Sequence, residues 1–471
     1  MFKNMLSLRT VPRLSRKMSS IASYDDMMKV KSEHFHPTQI PYYKKPVYVT
    51  SGSMQYLTDS NGKQYLDMFG GIVTVSVGHC HPHVVAALKE QSTKLWHTTN
   101  IYVHPQLVKY TEKLLSKFPD PLKTVYFVNS GSDANDIAMI MARLYTGNFD
   151  VLAVRGAYHG LSLSTMGLSC LPNWNHSLPK RFGIFHSANP DPYRGLFGGS
   201  NCRDSPSQVI NRDCSCKPGE CKANDKYIRE LDDTITFAAC KNVAAMYLES
   251  IQGVNGTTQF TKGFVRQAFE KIRHYNGLAV SDEVQTGFGR LGSHFWGFQS
   301  HDAVPDIVTL AKGIGNGFPM AAVITRREIA QSMTGSNYFH TYSGNPLACA
   351  VGNAVLEVIE EENLQENCAK VGTHFINELK QLQREFDVIG DVRGKGLMLG
   401  LELVKSKETN EPMGAEQFGK LFEDLKDLGV LVGRGGAYSN VFRFKPPMCI
   451  TKENASHAVD AIRTALKNNG Y

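Results

Sequence analysis

Asp306-Ile307-Val308-Thr309-Leu310-Ala311-Lys312-Gly313-Ile314-Gly315-Asn316-Gly317-Phe318-Pro319 runs an apolar, strand-like stretch into a glycine-rich turn and delivers one amine there, Lys312. Thirty positions upstream, Ala279-Val280-Ser281-Asp282-Glu283 is a second apolar run, closed by a carboxylate. Alone, each has an ordinary reading. A Lys before Gly is commonly a solvated turn residue, and an Asp after an apolar run commonly caps a helix. Their surroundings decide between these readings and a site.

From about residue 105 to 330, apolar strand candidates (124–128, 151–154, 243–248, 278–280, 307–310 and 320–324) alternate with amphipathic helical segments. That alternation predicts an α/β domain with a mostly parallel sheet. Ligands of such sheets bind beyond the carboxyl ends of the strands. Polar residues stand at several of these ends. Val128-Asn129-Ser130-Gly131-Ser132-Asp133 follows one strand and opens a helix. Small residues there let backbone approach an anion, and the helix N-terminus adds partial positive charge. A plain capped helix start is the alternative. Tyr158, in Arg155-Gly156-Ala157-Tyr158-His159-Gly160, offers a ring to a flat heterocycle, and Glu249 ends the run 245–248. Ser132, Tyr158, Glu249, Asp282 and Lys312 thus share one predicted edge.

An amine and a carboxylate at two buried strand ends are what pyridoxal phosphate chemistry requires. The amine forms a Schiff base with the cofactor aldehyde, and the carboxylate keeps the pyridine nitrogen protonated.

The rest of the 471-residue chain narrows the class. Net charge is +7, but residues 1–23 carry Lys3, Arg9, Arg13, Arg16 and Lys17 and no acid, which leaves +2 for the remainder. The body is nearly neutral, so the basic balance does not point to nucleic acid. An Arg- and Ser-rich, acid-free leader has the composition of a mitochondrial transit peptide, with the matrix as destination. No apolar run approaches the ~18–20 residues of a membrane-spanning helix. Most of the ten cysteines are scattered singly, as in a reducing compartment. Cys202, Cys214, Cys216 and Cys221 cluster in a polar insertion, 197–225, without the paired knuckles of common zinc sites. We expect a surface loop with free or redox-active thiols and no metal. The expected organisation is the leader 1–23, an N-terminal arm 24–90 that joins the small domain, a large domain 91–345, and a small C-terminal α+β domain 346–471.

Ser281-Asp282-Glu283-Val284-Gln285-Thr286-Gly287-Phe288-Gly289-Arg290, followed by Lys312-Gly313, resembles the class III pyridoxal phosphate aminotransferases of fold type I. The likeness runs from about residue 35 to the C-terminus. It implies that Lys312 is the Schiff-base lysine and proton carrier, and that Asp282 pairs with the pyridine nitrogen. Gly131 and Ser132 would bind the phosphate, Tyr158 and His159 would lie at the ring, and Gln285 near the ring hydroxyl. Thr341, in His340-Thr341-Tyr342-Ser343-Gly344, would reach the phosphate of the other subunit, which implies a homodimer or a dimer of dimers. Arg443, in Phe442-Arg443-Phe444-Lys445-Pro446-Pro447, would clamp the substrate carboxylate in two-point fashion. Partners are then small amino and keto acids.

Departures from the family pattern bear on substrate. Ornithine-type relatives place a Glu after the Gln-Gly of residues 252–253, which masks the arginine, and a Tyr six positions before the Gly of Gly78-His79. Here these positions are Val254 and Ile72. We expect Arg443 to stay free for alanine, glyoxylate and pyruvate. Donors such as 4-aminobutyrate, ornithine, β-aminoisobutyrate or a methylated arginine are the alternatives within the family. A non-catalytic scaffold and a zinc-dependent interaction module are the alternatives outside it.

Overall fold

The structure, a computed structural model, describes residues 23–38, 42–174, 176, 178–217 and 220–471. Apart from Ser23, the basic leader lies outside the described residues.

Seven strands form the central sheet: β1 (Thr124–Val128), β2 (Asp150–Val154), β3 (Ile184–Ser187), β4 (Val243–Glu249), β5 (Leu278–Asp282), β6 (Ile307–Leu310) and β7 (Ala321–Thr325). Their order is β1-β7-β6-β5-β4-β2-β3. Strands β3, β2, β4, β5 and β6 run parallel. β7 is antiparallel to both β6 and β1. The ten residues 311–320 that join β6 to β7 are too few for the crossover a parallel return needs. β3 was not among the expected strands. Ile184-Phe185-His186-Ser187 has only two apolar residues, and as an edge strand it pairs on one side.

The sheet is covered on both faces. The helix Gly131–Thr146 turns Ala134, Ile137, Ala138, Met141 and Ala142 onto one face. Lys222–Asp233 and Phe264–His274 bury Tyr227, Leu231, Phe264, Ala268 and Ile272 on the other. Pro346–Glu361, N-capped by Asn345 through a bond from Ala348 N–H (3.0 Å), packs against Pro82–Ser92 and Pro105–Leu115.

A second, antiparallel sheet contains β8 (Ile389–Lys395), β9 (Met398–Leu403), β10 (Gly433–Gly435) and β11 (Val441–Phe444), in the order β8-β9-β11-β10. β8 and β9 form a hairpin that folds at Gly396, whose φ of +57° suits a tight turn. The segment 24–60 is more than an arm. It holds a helix (Tyr24–His34) and a hairpin (Val49–Ser53 with Tyr56–Asp59). That hairpin continues through Gln64–Asp67, which pairs in parallel with Val430–Leu431.

The insertion 197–225 also differs from a simple surface loop. Arg203 is 1% exposed and grips both carboxylate oxygens of Asp391 (2.8 Å each), on β8. Cys202 is buried beside it, its Sγ 3.7 Å from Cys214 Sγ, and all four cysteines of the insertion are free thiols.

Candidate active site

Parallel strands bring their carboxyl ends to one edge, and registry sets the spacing along it. Glu249 is the register partner of Asp282, and Asp282 of Thr309, three residues before Lys312. A cavity of about 270 Å³ opens there, lined among others by Ser132, Tyr158, Glu249, Asp282, Gln285 and Lys312.

Asp282 lies at its floor, 4% exposed. Its Oδ2 accepts from Asn135 Nδ2 (2.9 Å) and stands 2.8 Å from His159 Nδ1, and its Oδ1 accepts from Val284 N–H (3.0 Å). Burial acts to raise its pKa, but these bonds outweigh burial and hold the carboxyl below the usual range. A carboxylate only accepts, so the imidazole hydrogen is on Nδ1. Glu249 meets the opposite fate. Burial and the nearby Asp282 raise it above the usual range, although Tyr158 N–H (3.2 Å) and Gly253 N–H (2.6 Å) donate to it.

Lys312 lines the cavity and is only partly covered. Loss of water around its amine nevertheless holds its pKa below the ordinary lysine value, against the pull of Asp282 and Glu249. Its φ is +52°, a left-handed conformation that costs an L-residue about 1–2 kcal/mol and is found where the surrounding structure over-determines it.

Across the cavity, Ser130 caps the helix Gly131–Thr146 by accepting from Asp133 N–H (3.1 Å). A Cβ on Gly131 would sit 3.3 Å from Val284 Cγ2, so this helix start packs tightly against the residues that follow β5. Gly160, at φ +122°, leaves room for Ser132 Oγ, which a Cβ there would meet at 2.6 Å. Tyr158 lines the wall with its ring edge-on to Trp174, centroids 5.2 Å apart.

The remaining expected residues lie around this core. Arg443, on β11, is 2% exposed; its Nη2 donates to Gln285 Oε1 (3.4 Å) and its Nη1 to Arg434 C=O (3.2 Å), and its Nε has no partner. It meets no carboxylate among the described residues. Burial pushes its pKa down to about 10. The Val254 carbonyl accepts from Gly436 N–H (3.1 Å), next to the Arg443 stem. Ile72 is 43% exposed and belongs to a left-handed turn in which Gly70, Gly71, Ile72 and Val73 all have positive φ. Asp67 Oδ1 holds the turn by accepting from Phe69 (3.0 Å) and Gly70 (2.9 Å) N–H. Thr341 is exposed on the single chain, outside the cavity lining.

Two residues of the site were not anticipated. Asn135 stands four residues after Gly131, hence on the same helix face, and that spacing was the signal available for it. Lys445 carried none, because a lysine before prolines reads as solvated. It is 0% exposed, and its Nζ donates to Gln285 Oε1 (2.8 Å) and Gly253 C=O (3.1 Å). Ser250 donates to the buried Glu283 (2.7 Å).

The donor set fits pyridoxal phosphate. A carboxylate kept ionised at the floor, an amine of lowered pKa beside it, an aromatic wall and a glycine-opened helix N-terminus each match one part of that molecule. The fold and cavity define a pyridoxal phosphate-dependent transaminase of fold type I. Residues 40–466 match the class-III aminotransferase family, and the chain belongs to it. It is 50% identical over 468 residues to the mitochondrial alanine–glyoxylate aminotransferase 2 of Homo sapiens, covering 98% of this chain and 91% of that one. Among solved structures, a thermostable (S)-enantioselective omega-transaminase from Thermomicrobium roseum superposes with a TM-score of 0.85 at 29% identity, covering 96% of this chain and all (100%) of that one. An amine transaminase from an uncultivated Pseudomonas species, in its pyridoxal phosphate-bound form, gives 0.83 at 29% identity, covering 93% and 99%.

Proposed function

We propose that this aminotransferase moves an amino group from alanine to glyoxylate or pyruvate by a ping-pong cycle, in the mitochondrial matrix. The observation that carries the substrate reading is Arg443, a buried guanidinium without a carboxylate partner among the described residues, with the backbone carbonyl of Val254 close to its stem. A relative at 50% identity bears the name of that activity and that organelle, and the acid-free leader agrees with the organelle.

When bound, pyridoxal phosphate supplies an aldehyde that captures amines and a ring that accepts the electron pair freed at the substrate Cα. The chain supplies the rest. Asp282, held ionised by His159 and Asn135, keeps a proton at the ring nitrogen and stabilises the cationic ring. Lys312 Nζ, with its lowered pKa, would take the proton from the substrate Cα and deliver it to the carbon contributed by the cofactor aldehyde. Gly131, Ser132 and the helix N-terminus hold the phosphate. Tyr158 would stack on the ring with His159 beside it, and Glu249 and Gln285 would contribute polar contacts from the same cavity wall. Arg443 grips the α-carboxylate, and Ile72 and Val254 offer a distal ammonium no partner.

The functional unit is a homodimer in this reading, in which Thr341 reaches the partner's phosphate site. Ile101 (76%), Val103 (78%) and Tyr342 (64%) are apolar side chains exposed on the single chain, as an interface would require. The boundaries 24–90, 91–345 and 346–471 remain our division of the chain.

The test is a panel of amino donors with glyoxylate and pyruvate as acceptors and Lys312→Ala as control. Alanine with glyoxylate should be among the fastest pairs. Faster turnover of ornithine with 2-oxoglutarate would overturn the substrate reading.

A further inference from the structure

We propose that Lys445 is a positioning residue that fixes which end of the Gln285 amide faces the cavity, and so makes Gln285 a hydrogen-bond donor there. This rests on the placement of Gln285 beside the cofactor ring given above.

Three observations carry it. Lys445 Nζ donates to Gln285 Oε1 at 2.8 Å, and Arg443 Nη2 reaches the same oxygen at 3.4 Å. A guanidinium and an ammonium have no acceptor, whereas an amide has one end that accepts and one that donates. Arg443 therefore demands the oxygen, and Lys445 as an ammonium demands it too, its N–H groups being met by Gln285 Oε1 and by Gly253 C=O (3.1 Å). The amide NH₂ is thus the end left over, and Gln285 lines the cavity.

The environment leaves the pair little freedom. Lys445 is wholly buried, and a Cβ on Gly253 would collide with the Gln285 amide. The lysine backbone is fixed as well: its N–H donates to Met68 C=O (2.8 Å), and its own carbonyl lies 2.9 Å from where a Cβ on Gly70 would stand. A donor turned into the cavity suits an anionic oxygen, either of the cofactor ring or of a substrate carboxylate. A turned amide would present a carbonyl oxygen to that anion and repel it.

The experiment follows the pH midpoint of the cofactor's long-wavelength absorption band in the holoenzyme, with kcat and KM for alanine and glyoxylate alongside. Lys445→Met, which keeps the stem without a donor, and Lys445→Arg, which keeps a donor, are made with native Gln285 and with Gln285→Ala. Lys445→Met should move the midpoint upward by about half a unit to one unit, the size of one hydrogen bond. Lys445→Arg should restore most of the shift, and Lys445→Met should add nothing when the amide is already gone. An unmoved midpoint, or the same shift with and without the Gln285 amide, would overturn the inference. Gln285→Glu keeps the bonds to Lys445 and Arg443 but turns an oxygen into the cavity. It should move the midpoint upward too, and serves if Lys445→Met does not fold; no upward shift in it would overturn the inference. Borohydride reduction of each holoenzyme, followed by peptide mass analysis, keeps the two levels apart. If the cofactor is not trapped on Lys312, the proposed function fails. If it is trapped there and the midpoints stay put, only the role of Lys445 fails.

Discussion

Glu249 and Asp282 are register partners at the ends of adjacent parallel strands, and their carboxyl groups are driven in opposite directions. Asp282 is held below the usual carboxylate range and Glu249 above it. Backbone geometry treats the two alike. The difference is the side-chain pair His159 and Asn135, which bonds Asp282 and not Glu249. Two carboxyl groups whose environments push them apart have separate tasks.

Asp282→Asn should therefore lower kcat/KM for alanine with glyoxylate by about a hundredfold to a thousandfold, the scale of losing one electrostatic stabiliser of developing charge. Glu249→Gln should cost far less, because its partners are the backbone N–H groups of Tyr158 and Gly253, to which an amide oxygen can still be an acceptor. Steady-state kinetics on both variants checks the contrast; equal losses would contradict it.

The same carboxyl group sets a pH dependence of stability. Its folded-state pKa lies below the unfolded value of about 3.9. Its stabilising contribution is complete above that value and disappears as pH falls through the folded value. Thermal melts of apo-protein between about pH 6 and pH 3 should show a shallower loss of Tm for Asp282→Asn than for the wild type.

Val254→Glu would set a carboxylate next to Arg443. We expect KM for glyoxylate to rise about tenfold or more, equivalent to about 1.4 kcal/mol of lost carboxylate binding, while the cofactor spectrum stays unchanged. A KM that does not move would separate Val254 from substrate choice.

Gly160→Ala forces a Cβ toward Ser132 Oγ at a φ of +122°. Weaker cofactor retention on dialysis is the expected result, with a stability loss of about 1–3 kcal/mol in denaturant melts.

Arg203→Ala leaves Asp391 without its bidentate partner, although Arg393 still donates to it (3.0 Å). Breaking a buried pair costs about 3–5 kcal/mol. A fall of that size in the unfolding free energy, measured by urea titration, would show that the insertion is a structural tie.

The amino-acid order by itself determined the chemistry. Apolar runs ending at Asp282 and Lys312 are local patterns, and a parallel sheet must carry its strand ends to one edge, so both residues could be placed at a common site before any coordinates. Only the tertiary structure decided what those groups meet. The antiparallel β7 follows from a connection too short for a crossover. The ionised state of Asp282 depends on Asn135 and His159, 147 and 123 positions away in the chain. Lys445 became part of the site only because β11 carries it under Gln285, 160 positions away. Local periodicity reports on neighbours within a turn or a strand. Hydrogen bonds and desolvation are set by whichever distant residues packing brings within about 3 Å, and that choice belongs to the folded chain.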